Sequence, residues 1–281
     1  MREFHIKIPG FNIAAKAWGN ETGKPVLCLH GKLDNAASFD YLAPLMPDFH
    51  LIAIDFPGTG YSSHYPLGVV PSWRNDTFLL FQIAETLNWK QFDIVAHSLG
   101  SLSATAVAIS RRKIVRRMVF LDVLGPTLNF IENRNEYFNH DVDCFLGNEM
   151  HKATIFPTEE SAILDRMKIG NISYQAAQAL VKRGTQKTEA GIMWTFDRRL
   201  RCLSSTLPFE DELQSMFHGI DIPVCLIRAE QGVTYPKATF LERCQAIRDL
   251  KLHSLAGGHH VHMDEPNQVA AIASRFLLSV E

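Results

Sequence analysis

The stretch Val95-Ala96-His97-Ser98-Leu99-Gly100 runs an apolar strand straight into a small-residue helix with a serine at the junction. A chain built that way must turn sharply. The turn lifts the serine hydroxyl clear of the sheet and aims the following backbone N–H at whatever binds there, which is the geometry of a nucleophile elbow. Small neighbours are required, so Gly100 lets the helix pass close to the strand, while Ala96 stands where G-x-S-x-G has its first glycine and adds one methyl. On its own the string also fits an ordinary strand-to-helix turn.

Two further segments fall where serine chemistry needs them. Val26-Leu27-Cys28-Leu29-His30-Gly31 reads as a buried strand ending in His-Gly, a place from which a second backbone N–H can face a developing oxyanion. Leu250 to Ala256 reads as a strand, followed by the loop Gly257-Gly258-His259-His260-Val261-His262-Met263-Asp264-Glu265-Pro266, which can present a histidine to the serine. The order serine, acid, histidine is therefore available along the chain.

These segments give the chain an end-to-end resemblance to the α/β-hydrolase fold superfamily. His30-Gly31-Lys32-Leu33-Asp34-Asn35-Ala36-Ala37-Ser38-Phe39-Asp40 is similar to its serine hydrolase-like branch, and Asp55-Phe56-Pro57-Gly58-Thr59-Gly60-Tyr61-Ser62 matches the family's D-x-x-G-x-G-x-S turn. His259 precedes Pro266 at the spacing of the family's G-H-x-x-x-x-E-x-P ending, with Asp264 at the acidic position. The resemblance implies an α/β architecture: a mostly parallel eight-stranded sheet with helices on both faces and a helical cap inserted after the sixth strand. It also implies a serine hydrolase acting on a carboxylic ester or related acyl substrate. Thioester, lactone or carbon–carbon bond hydrolysis on the same residues, or a small-ligand receptor without turnover, are the alternatives. Haloalkane dehalogenases and epoxide hydrolases of this superfamily carry an aspartate at the elbow; here it is Ser98.

In that chemistry Ser98 is the nucleophile and His259 the base, chosen over His260 and His262 by the spacing to Pro266, so loss of either neighbour is expected to spare most activity. The backbone N–H groups of Leu99 and Lys32, with Leu33 as the alternative, form the oxyanion hole. The acid departs from the family's commonest pattern. Ile227-Arg228-Ala229-Glu230-Gln231-Gly232 puts glycine where an aspartate is expected after the seventh strand. Asp122, at the end of Val119-Phe120-Leu121-Asp122-Val123, matches the position from which some capped members supply their acid; Glu230 is the alternative.

The rest of the chain alternates strands and helices. A hairpin (4–8 and 13–18) precedes strands at 26–30, 51–55, 92–97 and 118–123, with helices near 36–45, 75–87 and 102–109. A mostly parallel sheet covered on both faces follows from that rhythm. The rhythm stops after Gly125-Pro126 and resumes with strands at 222–228 and 250–256 and helices at 238–247 and 267–278. The expected division is therefore a core of 1–124 and 214–281 with a cap of 125–213. Helical spacing at 159–167 and 173–182 makes the cap helical, and its Phe130, Tyr137, Phe138, Phe145, Phe156, Trp194 and Phe196 serve either its own core or a substrate wall.

With 281 residues, 46% hydrophobic, the chain can build one large domain, and 30 acidic against 28 basic residues leave a net charge of -2. That balance gives no long-range attraction to nucleic acid or membrane, so the expected partner is a small-molecule acyl substrate, with the oligomeric state open. The N-terminus alternates like a strand rather than forming a signal-peptide core, and the five cysteines lack C-x-x-C spacing, which points to free thiols and a cytoplasmic location. No cofactor is implied. His30 and His97 read as hydrogen-bonded packing residues. His259, His260 and His262 with Asp264 lack a second ligand cluster, so no metal site is expected. Arg111-Arg112-Lys113 and Arg116-Arg117 read as a solvated helix end.

Overall fold

A computed structural model of the chain describes residues 1–110, 113–127, 134–146, 154–201 and 206–279. The N-terminal alternation folds as a hairpin, β1 (Arg2–Ile8) and β2 (Phe11–Gly19), in which Ile6 lies opposite Ile13. The apolar runs form β3 (Lys24–Leu29), β4 (Phe49–Ile54), β5 (Phe92–His97) and β6 (Val115–Leu121). After the insert come β10 (Val224–Gln231) and β11 (Leu250–Gly258). All eight join one sheet in the order β1-β2-β4-β3-β5-β6-β10-β11, antiparallel over β1, β2 and β4 and parallel from there on. Every residue of β5 is buried, as a central parallel strand covered on both faces requires.

The period of two along the strands divides the core. Leu27, Leu29, Ile94, Ala96, Met118, Phe120 and Leu226 face α1 (Trp73–Thr86), α2 (Gly100–Ala108), α6 (Glu210–His218) and α7 (Lys237–Ala246). Val26, Cys28, Val95, Val119, Leu121, Cys225 and Ile227 face α9 (Pro266–Leu278) and residues 36–46. The helix expected at 36–45 is instead two 3-10 turns, Ala36–Phe39 and Ala43–Leu45. Asn35 caps the first by accepting from the Ala37 N–H, and Pro44 starts the second, so one α-helix cannot run through both.

Between β6 and β10 lie α3 (Arg134–Leu146), β7 (Ile155–Phe156), α4 (Glu159–Gly170), α5 (Tyr174–Gly184), β8 (Thr185–Thr188) and β9 (Gly191–Trp194). The insert is thus not purely helical: its last three strands pair as a small antiparallel sheet, β7-β9-β8. Thr158 caps α4 through a reciprocal capping box with Ser161, and Asn171 ends it in a left-handed conformation, φ 46°. The insert has its own core of Ala162, Ile163, Ala176, Leu180 and Val181, into which Met263 of α8 (Val261–Asp264) projects from the main domain. α6 crosses the expected 213/214 junction and packs its Leu213, Met216 and Phe217 on the main sheet.

Buried polar side chains tie the α4–α5 pair to the main domain. Arg183 of α5 grips the fully buried Asp55 carboxylate through Nε at 2.9 Å, Asn35 donates to the Leu180 carbonyl at 3.0 Å, and Arg166 of α4 reaches Asp34 at 2.7 Å. Asp55 also accepts from the Ala36 and Tyr61 N–H groups, and a Cβ on Gly60 would run into that carboxylate. The D-x-x-G-x-G turn is therefore built around a buried acid that the insert neutralises. Arg116 is not part of a solvated helix end: it lies on β6 and pairs with Asp93 of β5 at 3.1 Å, while 111–112 fall outside the described residues. Cys28, Cys225 and Cys244 are free thiols. Among the described residues no helix is long and apolar enough to cross a membrane.

Candidate active site

The parallel strands all point their carboxyl ends to one edge of the sheet, where the residues singled out by the sequence collect. Ser98 follows β5 directly and takes a left-handed backbone, φ 51°. A β-carbon on Gly100 would approach the carbonyl oxygens of Leu29 and His30 to 2.7 and 2.8 Å, so only glycine lets α2 start this close to β3. Asp122 follows β6 and is also left-handed, φ 71°, as is Leu33 on the loop after β3, φ 61°. Strained backbone at non-glycine positions costs about 1–3 kcal/mol each and persists where the surroundings enforce it.

The side chains meet in one line. His259 Nδ1 lies 2.6 Å from Asp122 Oδ2, and its Nε2 lies 2.9 Å from Ser98 Oγ. Because the carboxylate only accepts, Nδ1 carries the proton and Nε2 is free to accept the serine hydroxyl proton. Asp122 is wholly buried and takes the Ala229 and Val233 N–H groups at 3.0 and 2.9 Å, so its carboxyl group is held in place. Glu230 stays outside this group: it is exposed, at the irregularity in β10 between Ala229 and Gln231. A Cβ on Gly232 would overlap the Asp122 carboxylate, so a side chain at that position and Asp122 cannot both be accommodated.

A cavity of about 220 Å³ opens beside Ser98, lined by Leu99, Leu102, Val123, Pro126, Leu207 and Val233, with Lys32 and Thr127 among its polar neighbours. The walls are aliphatic. Of the insert's aromatics, Phe156 is in the insert's own core and Trp194 packs against it, while Phe145, Trp194 and Phe196 line a separate open groove. Phe130 lies outside the described residues. Neither the Leu99 nor the Lys32 N–H donates to a backbone carbonyl outside regular elements among the described residues. Gly31 packs against Ser98: a Cβ on it would meet Ser98 Cβ at 2.9 Å. Leu33 borders a smaller recess on the other side of the loop.

The remaining histidines are structural neighbours with defined bonds. His30 donates from Nδ1 to the Gly31 carbonyl at 2.7 Å and accepts the Phe56 N–H at Nε2. His97 donates from Nε2 to the His259 carbonyl at 3.0 Å. His260 bonds Asp34 at 2.9 Å and His262 bonds Ser38 at 2.7 Å, both rings buried. Truncating either ring would leave a buried partner or a cavity, so a cost in stability is expected whatever the effect on activity. Burial holds His97 and His262 well below the ordinary histidine range, with the neighbouring imidazoles adding to it. Burial alone would raise Asp34, but the facing His260 and Arg166 outweigh it and hold the carboxyl well below its usual range. Asp34, His97 and His260 bring three ligand-capable atoms within 4.8 Å of one another, a grouping that sequence spacing did not reveal. The Arg166 guanidinium already occupies this place, 2.7 Å from Asp34 and 3.2 Å from His260.

A family model described as alpha/beta hydrolase fold matches residues 24–145. A serine hydrolase-like protein of Danio rerio is 30% identical over 98% of this chain and 88% of its own length, and the human serine hydrolase-like protein 2 is 31% identical over 98% and 93%. Among solved structures, a hypothetical protein from Pseudomonas aeruginosa PAO1 superposes with a TM-score of 0.91 at 29% identity, covering 99% of this chain and all of that one. The thioesterase domain from the curacin biosynthetic pathway shares the fold at a TM-score of 0.86 and 23% identity, over 97% and 98% of the two chains. This chain belongs to the α/β-hydrolase superfamily, in its serine hydrolase-like branch.

Proposed function

We propose that the protein is a serine hydrolase that cleaves a carboxylic ester or a related small acyl substrate by nucleophilic acyl transfer. The observation that carries the reading is the hydrogen-bonded line from Ser98 through His259 to the buried Asp122 beside an aliphatic cavity. Ser98 Oγ attacks the carbonyl carbon as His259 Nε2 takes its proton, and Asp122 stabilises the imidazolium that forms. The carbonyl oxygen becomes an oxyanion facing the Leu99 and Lys32 N–H groups, each worth on the order of 3 kcal/mol in the transition state. Lys32 is preferred to Leu33 because it borders the cavity that Ser98 opens into. Collapse of the tetrahedral intermediate expels the alkoxide, which His259 protonates. Water then repeats the cycle on the acyl-enzyme.

Ser98→Ala tests the reading. Hydrolysis of short p-nitrophenyl esters should fall at least about a thousandfold while circular dichroism stays native. Turnover above that level in the variant would place the chemistry elsewhere.

A further inference from the structure

We propose that Arg166 and Asp34 are positioning residues for His259: a guanidinium borne by the insert holds, through one buried carboxylate, the loop that carries the base. The proposal rests on the reading of His259 as general base.

His259 sits in a short loop between β11 and α8, and α8 is a four-residue turn of helix with no side-chain cap. Such a loop does not fix an imidazole by itself, so bonds from outside must do it. Asp122 holds the His259 ring itself and Ser38 holds His262, and the backbone of the loop is tied by Gly257 N–H to Gln231 Oε1 at 2.8 Å, the His97 ring to the His259 carbonyl at 3.0 Å, and the His260 ring to Asp34 at 2.9 Å. Asp34 also belongs to the loop after β3, two residues beyond Lys32. One carboxylate therefore ties the loop of the base to the loop of the oxyanion hole.

That carboxylate is 3% exposed and needs a cation beside it. His97 and His262 cannot supply one, because burial keeps both neutral. Arg166 does, from α4 of the insert, with its side chain 14% exposed and one nitrogen 2.7 Å from Asp34 Oδ1. Since Asp34 Oδ2 takes the His260 Nε2–H, the 3.2 Å approach of Arg166 to that same nitrogen is a charge contact rather than a second bond. Arg166 does not line the cavity at Ser98. Its influence on the reaction must pass through Asp34 and His260 to the adjacent base.

The groups facing His259 are Asp122 from β6, Ser98 and His97 from the β5 end, and His260 beside it, with Asp34 and Arg166 behind His260. Removing Arg166 takes away the permanent cation beside Asp34 and leaves its charge facing the His260 ring alone. The negative field favours imidazolium at His259, so the acid limb of the rate profile moves to higher pH, and the loosened loop slows attack by Ser98.

The experiment measures the second-order rate of fluorophosphonate labelling against pH for wild type, Arg166→Met and Arg166→Lys, with Ser98→Ala as blank. Arg166→Met should label about tenfold more slowly or worse, as misplacement of a reacting group does, and Arg166→Lys should recover most of the rate. Its acid limb should lie about half a pH unit or more above wild type, whereas that of Arg166→Lys should stay in place. Should Arg166→Met not fold, the pair Arg166→Met/Asp34→Asn removes both charges together and should still label slowly. A folded Arg166→Met, or folded pair, with the wild-type rate overturns the proposal. So does a slowed Arg166→Met whose acid limb has not moved and which lysine fails to rescue, because that is the signature of a merely structural role. Wild type that takes no label at all overturns the underlying reading of the site, and the proposal with it.

Discussion

Asp122 and Gly232 compete for one volume, and that competition decides where the acid can stand. A residue with any side chain at Gly232 pushes into the Asp122 carboxylate, so Gly232→Ala should lower kcat by about tenfold or more through displacement of the acid, with little change in KM. Asp122→Asn should lower kcat by about 10⁴, by leaving His259 in the wrong tautomer, whereas Glu230→Gln should stay close to wild type. Steady-state kinetics on the three variants reads all of this. Ser98, His259 and the choice between two acids were legible in the sequence because each sits in a local pattern: a strand-to-helix junction, a spacing to Pro266, a strand end. Asp122 was the first choice from its strand end; what the sequence did not show is the irregularity in β10 at which Glu230 stands exposed. Arg166 was illegible altogether: its bond to Asp34 spans 132 positions and no motif marks either partner as half of a pair.

At the scale of elements, the α4–α5 pair is bolted to the core by buried charges, and its stability should depend on them. Arg183→Met strands the fully buried Asp55 carboxylate and should cost about 3–5 kcal/mol in urea unfolding, far more than loss of an exposed ion pair. The buried histidines set a pH dependence. His30, His97 and His262 have folded pKa values lowered by burial, so below about pH 6.5 the unfolded chain binds protons that the folded chain refuses. Stability should therefore fall as pH drops through 6.5 toward their folded values, and His262→Gln should flatten that slope in urea titrations at pH 5 to 7. The parallel strands and flanking helices were legible because their apolar periods are long. The 3-10 turns at 36–45 mimic a helix in composition, and the cap's strands are at most four residues each, too short for a period to declare itself.

For the whole molecule, the sheet gathers loops from five strands, β3, β5, β6, β10 and β11, at one edge, and Pro126, Thr127 and Leu207 of the insert border the cavity there. The cavity beside Ser98 has aliphatic walls and a volume of about 220 Å³, so kcat/KM for p-nitrophenyl esters should rise with acyl length and then fall once the chain outgrows the space. A steady decline from acetate onward would contradict a pocket of this kind. The insert's aromatics read either as its own core or as a substrate wall; among the described residues Phe156 and Trp194 belong to the core and Phe145 and Phe196 to a separate groove, a distribution that only the tertiary packing decides. The central claim is that Ser98 is a nucleophile activated by His259, and peptide-level mass spectrometry after fluorophosphonate treatment tests it most directly. The account predicts one covalent adduct, on Ser98, absent from Ser98→Ala and greatly slowed in His259→Ala; an unmodified Ser98 in the folded protein, or an adduct on another residue, would contradict it.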